Sequence, residues 1–281
     1  MNYLKKVYLK YEHRGLGYVI HYFLKKVGIK TKYSSFIHKK KCLLDEKVFK
    51  KTKGIVSSGY YKNQIIEKEQ NWNIGNDTDL SSKLLGFYEI QVQKKIVDLK
   101  NQYDLKYLVN FGAAEGYHAI GLVKNNYFEE CYCFEEDEKT REVLHKSSIR
   151  NKVEDKIKIY GKANFEETSK LLDQNKLKKT LFLVDIEGGE FSLFNESSIN
   201  LFKNSIMLIE NHEEIFPNKI LVKEFYQLMN NYFKKEILLN NDRNPFNIKE
   251  LEHLPDDDRW LLMSEGRPCE MNWLVFTPQH T

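Results

Sequence analysis

Two hydrophobic periods alternate along this chain, and the switches between them mark its elements. Strand-like runs rich in apolar and β-branched residues cover 106–111, 129–134, 156–160, 180–185 and 205–210. Between and after them, apolar residues recur at helical spacing over 116–125, 137–149, 164–174, 188–203 and 217–230. Alternation at this interval predicts βαβ crossovers and a mainly parallel sheet covered on both faces. Tyr232–Leu238 and Met271–Phe276 predict two last strands. Upstream, Ser81–Leu99 reads as a helix and 54–78 as a polar connector with some helix. Further back, Leu16, Val19, Ile20, Phe23, Leu24 and Val27 predict an amphipathic helix of about three turns, ending near Gly28.

Composition sharpens this picture in three ways. The 281 residues, 41% hydrophobic and 13% aromatic, suffice for a substantial core, and no internal repeat is visible. The pattern divides the chain into a helical extension, 1–78, and a main domain, 79–281. No apolar run approaches the ~18–20 residues needed to span a bilayer. Gly17–Leu24 is short, is interrupted by His21 and precedes no small-residue cleavage site, so a cytoplasmic protein is expected. Cys42, Cys131, Cys133 and Cys269 form no CxxC pair and have no histidine at finger spacing, which fits free thiols in a reducing compartment.

Charge is unevenly placed. Residues 1–53 carry 15 Lys and Arg against 3 Asp and Glu, a balance of +12, while the remainder carries 29 against 37, or −8. A basic amphipathic segment can lie on the inner face of an anionic membrane, bind another anionic partner, or cap the main domain with a solvated basic face.

In a sheet of this type, ligands bind beyond the carboxyl ends of the strands, where the strand order reverses. The first strand leads into Asn110-Phe-Gly112-Ala113-Ala-Glu115-Gly116-Tyr117, a glycine turn that opens a helix. The second ends at Phe134-Glu135, followed by Glu136, and Glu135 lies where a carboxylate can accept both ribose hydroxyls of an adenosine cofactor. The third leads into Gly161-Lys-Ala163-Asn164, where a backbone amide and a small side chain could meet an adenine edge, or where Asn164 could cap a helix. The fourth ends in Asp185-Ile-Glu187-Gly-Gly-Glu190 and the fifth in Glu210-Asn-His212, so several acids and a histidine converge on one rim. Buried like charges are costly without a proton, a cation or a partner, which favours a functional explanation. A diphosphate cofactor would be repelled by Glu115 in the turn; the ammonium or sulfonium of S-adenosylmethionine would not.

These motifs resemble those of class I S-adenosylmethionine-dependent methyltransferases, and among them the FkbM-like enzymes. The likeness spans roughly residues 105–215, and Asp185-Ile-Glu187-Gly188-Gly-Glu190 is its most specific part. It implies a Rossmann-like, doubly wound, mainly parallel seven-stranded sheet with the last strand antiparallel. It also implies methylation of a sugar or polyketide hydroxyl, often in a surface polysaccharide. Lys83-Leu-Leu-Gly86-Phe-Tyr88-Glu89 resembles a branch of bacterial methyltransferase-like proteins, which implies that Lys83, Tyr88 and Glu89 line the cofactor mouth. Three positions depart from the FkbM-like pattern: Glu136 stands for proline, Leu183 for lysine and Asn110 for an acid.

Methyl transfer to a hydroxyl needs alignment and a base. His212 is the first candidate base, Asp185 its competitor, with Glu210 beside them. Asp185, Glu187 and Glu210 could instead hold Mg²⁺. Glu187, Arg259, Arg267, Asn272 and Trp273 are candidate substrate contacts, the arginines as an anion clamp and Trp273 as a platform for a sugar ring. An Asn/Asp-Pro-Pro-aromatic motif of amino-group methyltransferases is absent, and the Pro268-Cys269 pair lies far from the strand ends. Two rival classes stay open: a nucleic-acid methyltransferase that uses the basic extension to hold phosphates, and a binding module without activity. The oligomeric state is not legible.

Overall fold

A computed structural model describes residues 16, 19, 20, 23, 24, 36–68, 79–239, 243–265 and 271–279. Arg267, Val27, Pro268 and Cys269 lie outside the described residues.

Helix α1 (Phe36–Thr52) precedes α2 (Leu80–Leu85) and α3 (Ile90–Gln102). Alternation then begins: β1 (Tyr107–Phe111), α4 (Tyr117–Lys124), β2 (Glu130–Phe134), α5 (Glu138–Arg150) and β3 (Ile157–Tyr160). Helices α6 (Phe165–Leu171) and α7 (Gln174–Leu177) lead to β4 (Thr180–Val184); α8 (Glu190–Leu193) and α9 (Ile199–Phe202) lead to β5 (Ile206–Glu210). The described chain closes with α10 (Lys219–Tyr232), β6 (Phe233–Leu238), α11 (Asp256–Met263) and β7 (Trp273–Pro278).

The seven strands form one sheet in the order β3-β2-β1-β4-β5-β7-β6. β1 to β5 pair in parallel, and β7 runs antiparallel to both β5 and β6. The mainly parallel sheet is the one expected from the alternation, and the doubly wound, Rossmann-like order with an antiparallel last strand is the one the resemblance implies. The chain builds outward from β1 to β3, then returns to lay β4 against the other side of β1. The strand order reverses between β1 and β4, the position at which sheets of this kind bind ligands.

Period-two alternation sends successive strand residues into two separate cores. Leu108, Leu181, Leu183, Leu208 and Val275 pack on one face with α1 to α5 and α11. Val109, Phe182, Val184, Met207, Ile209 and Phe276 pack on the other with α6 to α10. That second core is aromatic: Phe165 stacks on Phe202 with ring centroids 4.7 Å apart, and Phe194 meets Phe202 edge-on at 4.9 Å. Cys131 and Cys133 point to the first face, their sulfurs 3.5 Å apart.

Two expected helices are interrupted. The Ser81–Leu99 helix divides at Gly86, whose φ of 82° closes α2, and at Glu89, which opens α3 with φ 48°. The 188–203 helix divides because Asn195 Oδ1 accepts the backbone N–H groups of Ser197 and Ser198, a local turn that competes with the helix. α1 is not peripheral: Leu44 and Val48 join the core cluster that includes Leu108 and Leu122. In the expected N-terminal helix, Leu16, Val19, Ile20, Phe23 and Leu24 are helical; Val19 is buried, while Leu16, Ile20 and Phe23 are exposed. No helix among the described residues is long and apolar enough to cross a membrane.

Candidate active site at the strand ends

The glycine turn is set by close backbone contact. Gly112 has φ 80°, and a Cβ there would stand 1.6 Å from the carbonyl oxygen of Asp185 at the end of the neighbouring strand. No side chain fits, so Gly112 is what lets the ends of β1 and β4 touch. The turn's amides are already engaged. Gly112 and Ala113 both donate to Phe134 O, at 2.9 and 3.0 Å, and Gly116 donates to Ala113 O at 2.9 Å. The Ala114 amide donates to Glu135 Oε2 at 3.0 Å, while Glu135 Oε1 accepts from the Asp137 amide at 3.0 Å. Two backbone donors thus fix the Glu135 carboxylate against the turn, and each oxygen keeps acceptor capacity for a hydroxyl. Asn110 is buried in β1 between Cys133 and Leu183.

Glu115 is paired with a lysine from a distant segment. Lys83 Nζ lies 2.5 Å from Glu115 Oε1 and 2.8 Å from Asp79 Oδ2, all three side chains buried. Burial alone would push the lysine down, but the two carboxylates outweigh it and hold its pKa above the ordinary value. The cluster therefore holds two acids on one base, and Glu115 is not the isolated anion expected from its place in the turn. Lys83 Nζ also sits 4.9 Å from the Tyr88 ring centre and 5.6 Å from that of Tyr117. Tyr117 is buried and donates its hydroxyl to Lys83 O at 3.2 Å, which makes it a brace for the cluster.

At the ends of β4 and β5 the arrangement centres on His212, which is 1% exposed. Its Nδ1 donates to Glu190 Oε1 at 3.0 Å, an assignment that follows because a carboxylate can only accept. Glu190, also 1% exposed, further accepts the Gly188 amide at 2.9 Å and the His212 amide at 3.3 Å. The other ring nitrogen, Nε2, faces three acids: Glu210 Oε2 at 3.4 Å, Asp185 Oδ1 at 3.6 Å and Glu187 Oε2 at 3.7 Å. Neither Nε2 nor Asp185 Oδ1 has a hydrogen-bond partner, and both atoms are buried. The rest of Asp185 keeps 36% of its side-chain surface, and Glu187 keeps 68%, so the cluster opens outward on the Glu187 side.

Electrostatics follow from this geometry. Burial and then the Glu210 carboxylate push the Asp185 carboxyl well above its usual range. Burial would lower the His212 imidazole, but the hydrogen bond to Glu190 and the nearby carboxylates of Glu210 and Asp185 override it and raise the pKa to about 11. A metal-free His212 therefore keeps its second proton at neutral pH. The expectation that it acts as a base with an ordinary pKa does not suit this environment.

Several expected contacts are spent elsewhere. Asn164 caps α6, accepting the Glu166 amide at 2.8 Å and the Glu167 amide at 3.3 Å, and Ala163 is half-buried beside it. Glu136 is exposed and pairs with Lys162 at 3.4 Å. Arg259 is not a clamp: it donates to Leu254 O at 2.8 Å and Glu252 O at 2.5 Å, and covers the Phe246 ring. Trp273 is 1% exposed within the first core, so it offers no platform to a sugar ring. Asn272 tethers Asn211 through its carbonyl at 2.9 Å and its side chain at 3.2 Å. Glu190, the last acid of the Asp185–Glu190 motif, opens α8 and orients the His212 ring, a role that its position in the motif does not signal.

No protein-family model and no curated protein matches the chain. Among solved structures it is similar to an O-methyltransferase from Bacillus cereus in complex with S-adenosylhomocysteine, 9% identical, with 92% of this chain and 96% of that one covered and a TM-score of 0.44. It is also similar to the cofactor-bound protein Rv0187 from Mycobacterium tuberculosis, 12% identical, with 73% and 92% covered and a TM-score of 0.45. A third is a protein of the NADB-Rossmann superfamily from Streptococcus agalactiae, 13% identical, with 66% and 69% covered and a TM-score of 0.41. Likeness at this level assigns no reaction; the chemistry has to be read from the side chains.

Proposed function

We propose that this chain is an S-adenosylmethionine-dependent methyltransferase acting on a hydroxyl of a sugar or glycan. One observation carries the choice of cofactor. The amides of Gly112, Ala113, Ala114 and Gly116, which would cradle a diphosphate, are occupied by Phe134 O, Glu135 and Ala113 O. The rim around them is acidic, with Glu135 at one end and Asp185, Glu187 and Glu210 at the other. A phosphate-free, cationic cofactor suits such a rim, and a dinucleotide does not.

In this reading Glu135 takes the ribose hydroxyls, the turn from Gly112 to Gly116 borders the methionine end, and the acceptor enters beside Glu187. When bound, S-adenosylmethionine would supply an electrophilic methyl group, and its transfer to the acceptor hydroxyl would release a neutral thioether and a proton. The hydroxyl proton passes to the Asp185–Glu210 carboxyl pair, because a carboxyl held above its usual range accepts a proton readily. The glycan acceptor rests on the FkbM-like motif Asp185-Ile-Glu187-Gly188-Gly-Glu190.

The test is incubation with methyl-labelled S-adenosylmethionine and a fractionated cell lysate. Label is expected in carbohydrate fractions and absent with Asp185→Asn. Label in RNA instead would replace the acceptor, and no label in any fraction would favour a binding module. The basic segment supports a docking role toward an anionic surface. Truncation should stop at residue 35, because Leu44 and Val48 belong to the core. Such a truncation is expected to bind cofactor normally and to lose association with anionic vesicles; unchanged association would remove that role.

A further inference from the structure

We propose that Asp185, Glu187 and His212 form a binding site for one first-row divalent transition-metal ion with mixed oxygen and nitrogen ligands, for which Mn²⁺ is the probe. The donor atoms of these three residues all lie within 4.8 Å of one another. Acids alone would not make a site, but His212 Nε2 is an independent pointer: it is buried, has no hydrogen-bond partner and is aimed at the acids.

Glu190 explains the aim. By accepting from Nδ1 it holds the ring so that the Nε2 lone pair of the neutral form points into the acidic cluster. A carboxylate behind a histidine is the usual support for a metal-bound imidazole. Glu190 is itself anchored by the Gly188 and His212 amides, so the ring has one orientation. The spacing is also suitable. With bonds of about 2.1 Å, neighbouring ligands stand about 3 Å apart and opposite ligands about 4.2 Å. The observed 3.6 and 3.7 Å from Nε2 to the two carboxylates fall inside that range. The mostly exposed Glu187 can adjust, and its open side leaves room for an acceptor oxygen.

This ligand set differs from the Asp185, Glu187 and Glu210 grouping expected from sequence. Glu210 lies 3.4 Å from Nε2 but is not among the three mutually close donors, so with the ion bound to Asp185 it would be the member of the Asp185–Glu210 pair left to accept the proton. Imidazole in the donor set moves the preference from Mg²⁺ toward first-row transition-metal ions, and the two carboxylates keep Mn²⁺ among them. Within the methyltransferase reading, on which its catalytic role rests, the ion would orient the acceptor oxygen and lower its pKa. The ion site itself stands on geometry alone.

Electron paramagnetic resonance of Mn²⁺ added to the full chain tests it, with calorimetry of S-adenosylhomocysteine run in parallel. One Mn²⁺ per chain is expected, abolished by Asp185→Asn and His212→Gln. Glu187→Gln, at an exposed position where folding is not at stake, is expected to weaken Mn²⁺ at least ten-fold while leaving the EDTA-treated melting temperature unchanged. No binding at millimolar Mn²⁺, or binding that all three substitutions leave untouched, would overturn the site. If S-adenosylhomocysteine still binds in that case, the methyl-donor reading survives. Mn²⁺ bound specifically by a chain that ignores S-adenosylhomocysteine would uphold the site and overturn that reading.

Discussion

The two ends of the strand rim solve the problem of buried charge in opposite ways. At the glycine turn, Glu115 is matched by Lys83 and Glu135 by two backbone amides. At the ends of β4 and β5, Nε2 of His212 and Oδ1 of Asp185 are buried without a hydrogen bond, and three carboxylates crowd one nitrogen. The first arrangement is complete as it stands and holds the rim in shape. The second calls for a proton or a cation at its centre, and that incompleteness is why the proposed chemistry is assigned there.

Substitutions should separate the two ends by what they cost. The largest stability loss is expected from Lys83→Met, which leaves Asp79 and Glu115 buried side by side. A cost of about 3–5 kcal/mol should appear in denaturant unfolding, partly relieved when Glu115→Gln is added. Asp185→Asn should do the reverse: methyl transfer falls about 10²–10⁴-fold, while the melting temperature holds or rises because a like charge has been removed. An Asp185→Asn variant that unfolds but keeps its specific activity would erase the distinction between the two ends. Glu135→Gln should weaken S-adenosylhomocysteine by about ten- to a hundred-fold, the worth of charge-assisted hydrogen bonds, with little change in stability at this half-buried position. The smallest effect is expected from Trp273→Phe, about 1–2 kcal/mol in unfolding, with cofactor affinity unchanged because the ring lies in the core. A marked loss of affinity there would return Trp273 to the site.

How much of this was legible follows from the physics of each part. Strands read well because a sheet covered on both faces demands near-continuous apolar runs, as in Leu108–Phe111 and Leu181–Val184, and those runs end where the site begins. Asp185, Glu187, Glu210 and His212 were legible for the same reason, as polar residues stranded at the ends of apolar runs. Pairings between distant segments were not. Lys83 and Glu115 are 32 positions apart, and nothing local signals that one neutralises the other. Arg259 and Trp273 look available in sequence, yet backbone carbonyls consume the one and core packing the other. Asn164 gave a signal with two meanings, and the helix cap was the one realised.

The central claim is that the turn from Gly112 to Gly116 borders a methyl-donor site and not a phosphate loop. Isothermal titration of the purified chain with S-adenosylhomocysteine and, separately, with NADH tests it most directly. The account predicts saturable binding of S-adenosylhomocysteine, weakened by Glu135→Gln, and no measurable heat with NADH. Tight NADH binding with S-adenosylhomocysteine silent would contradict it.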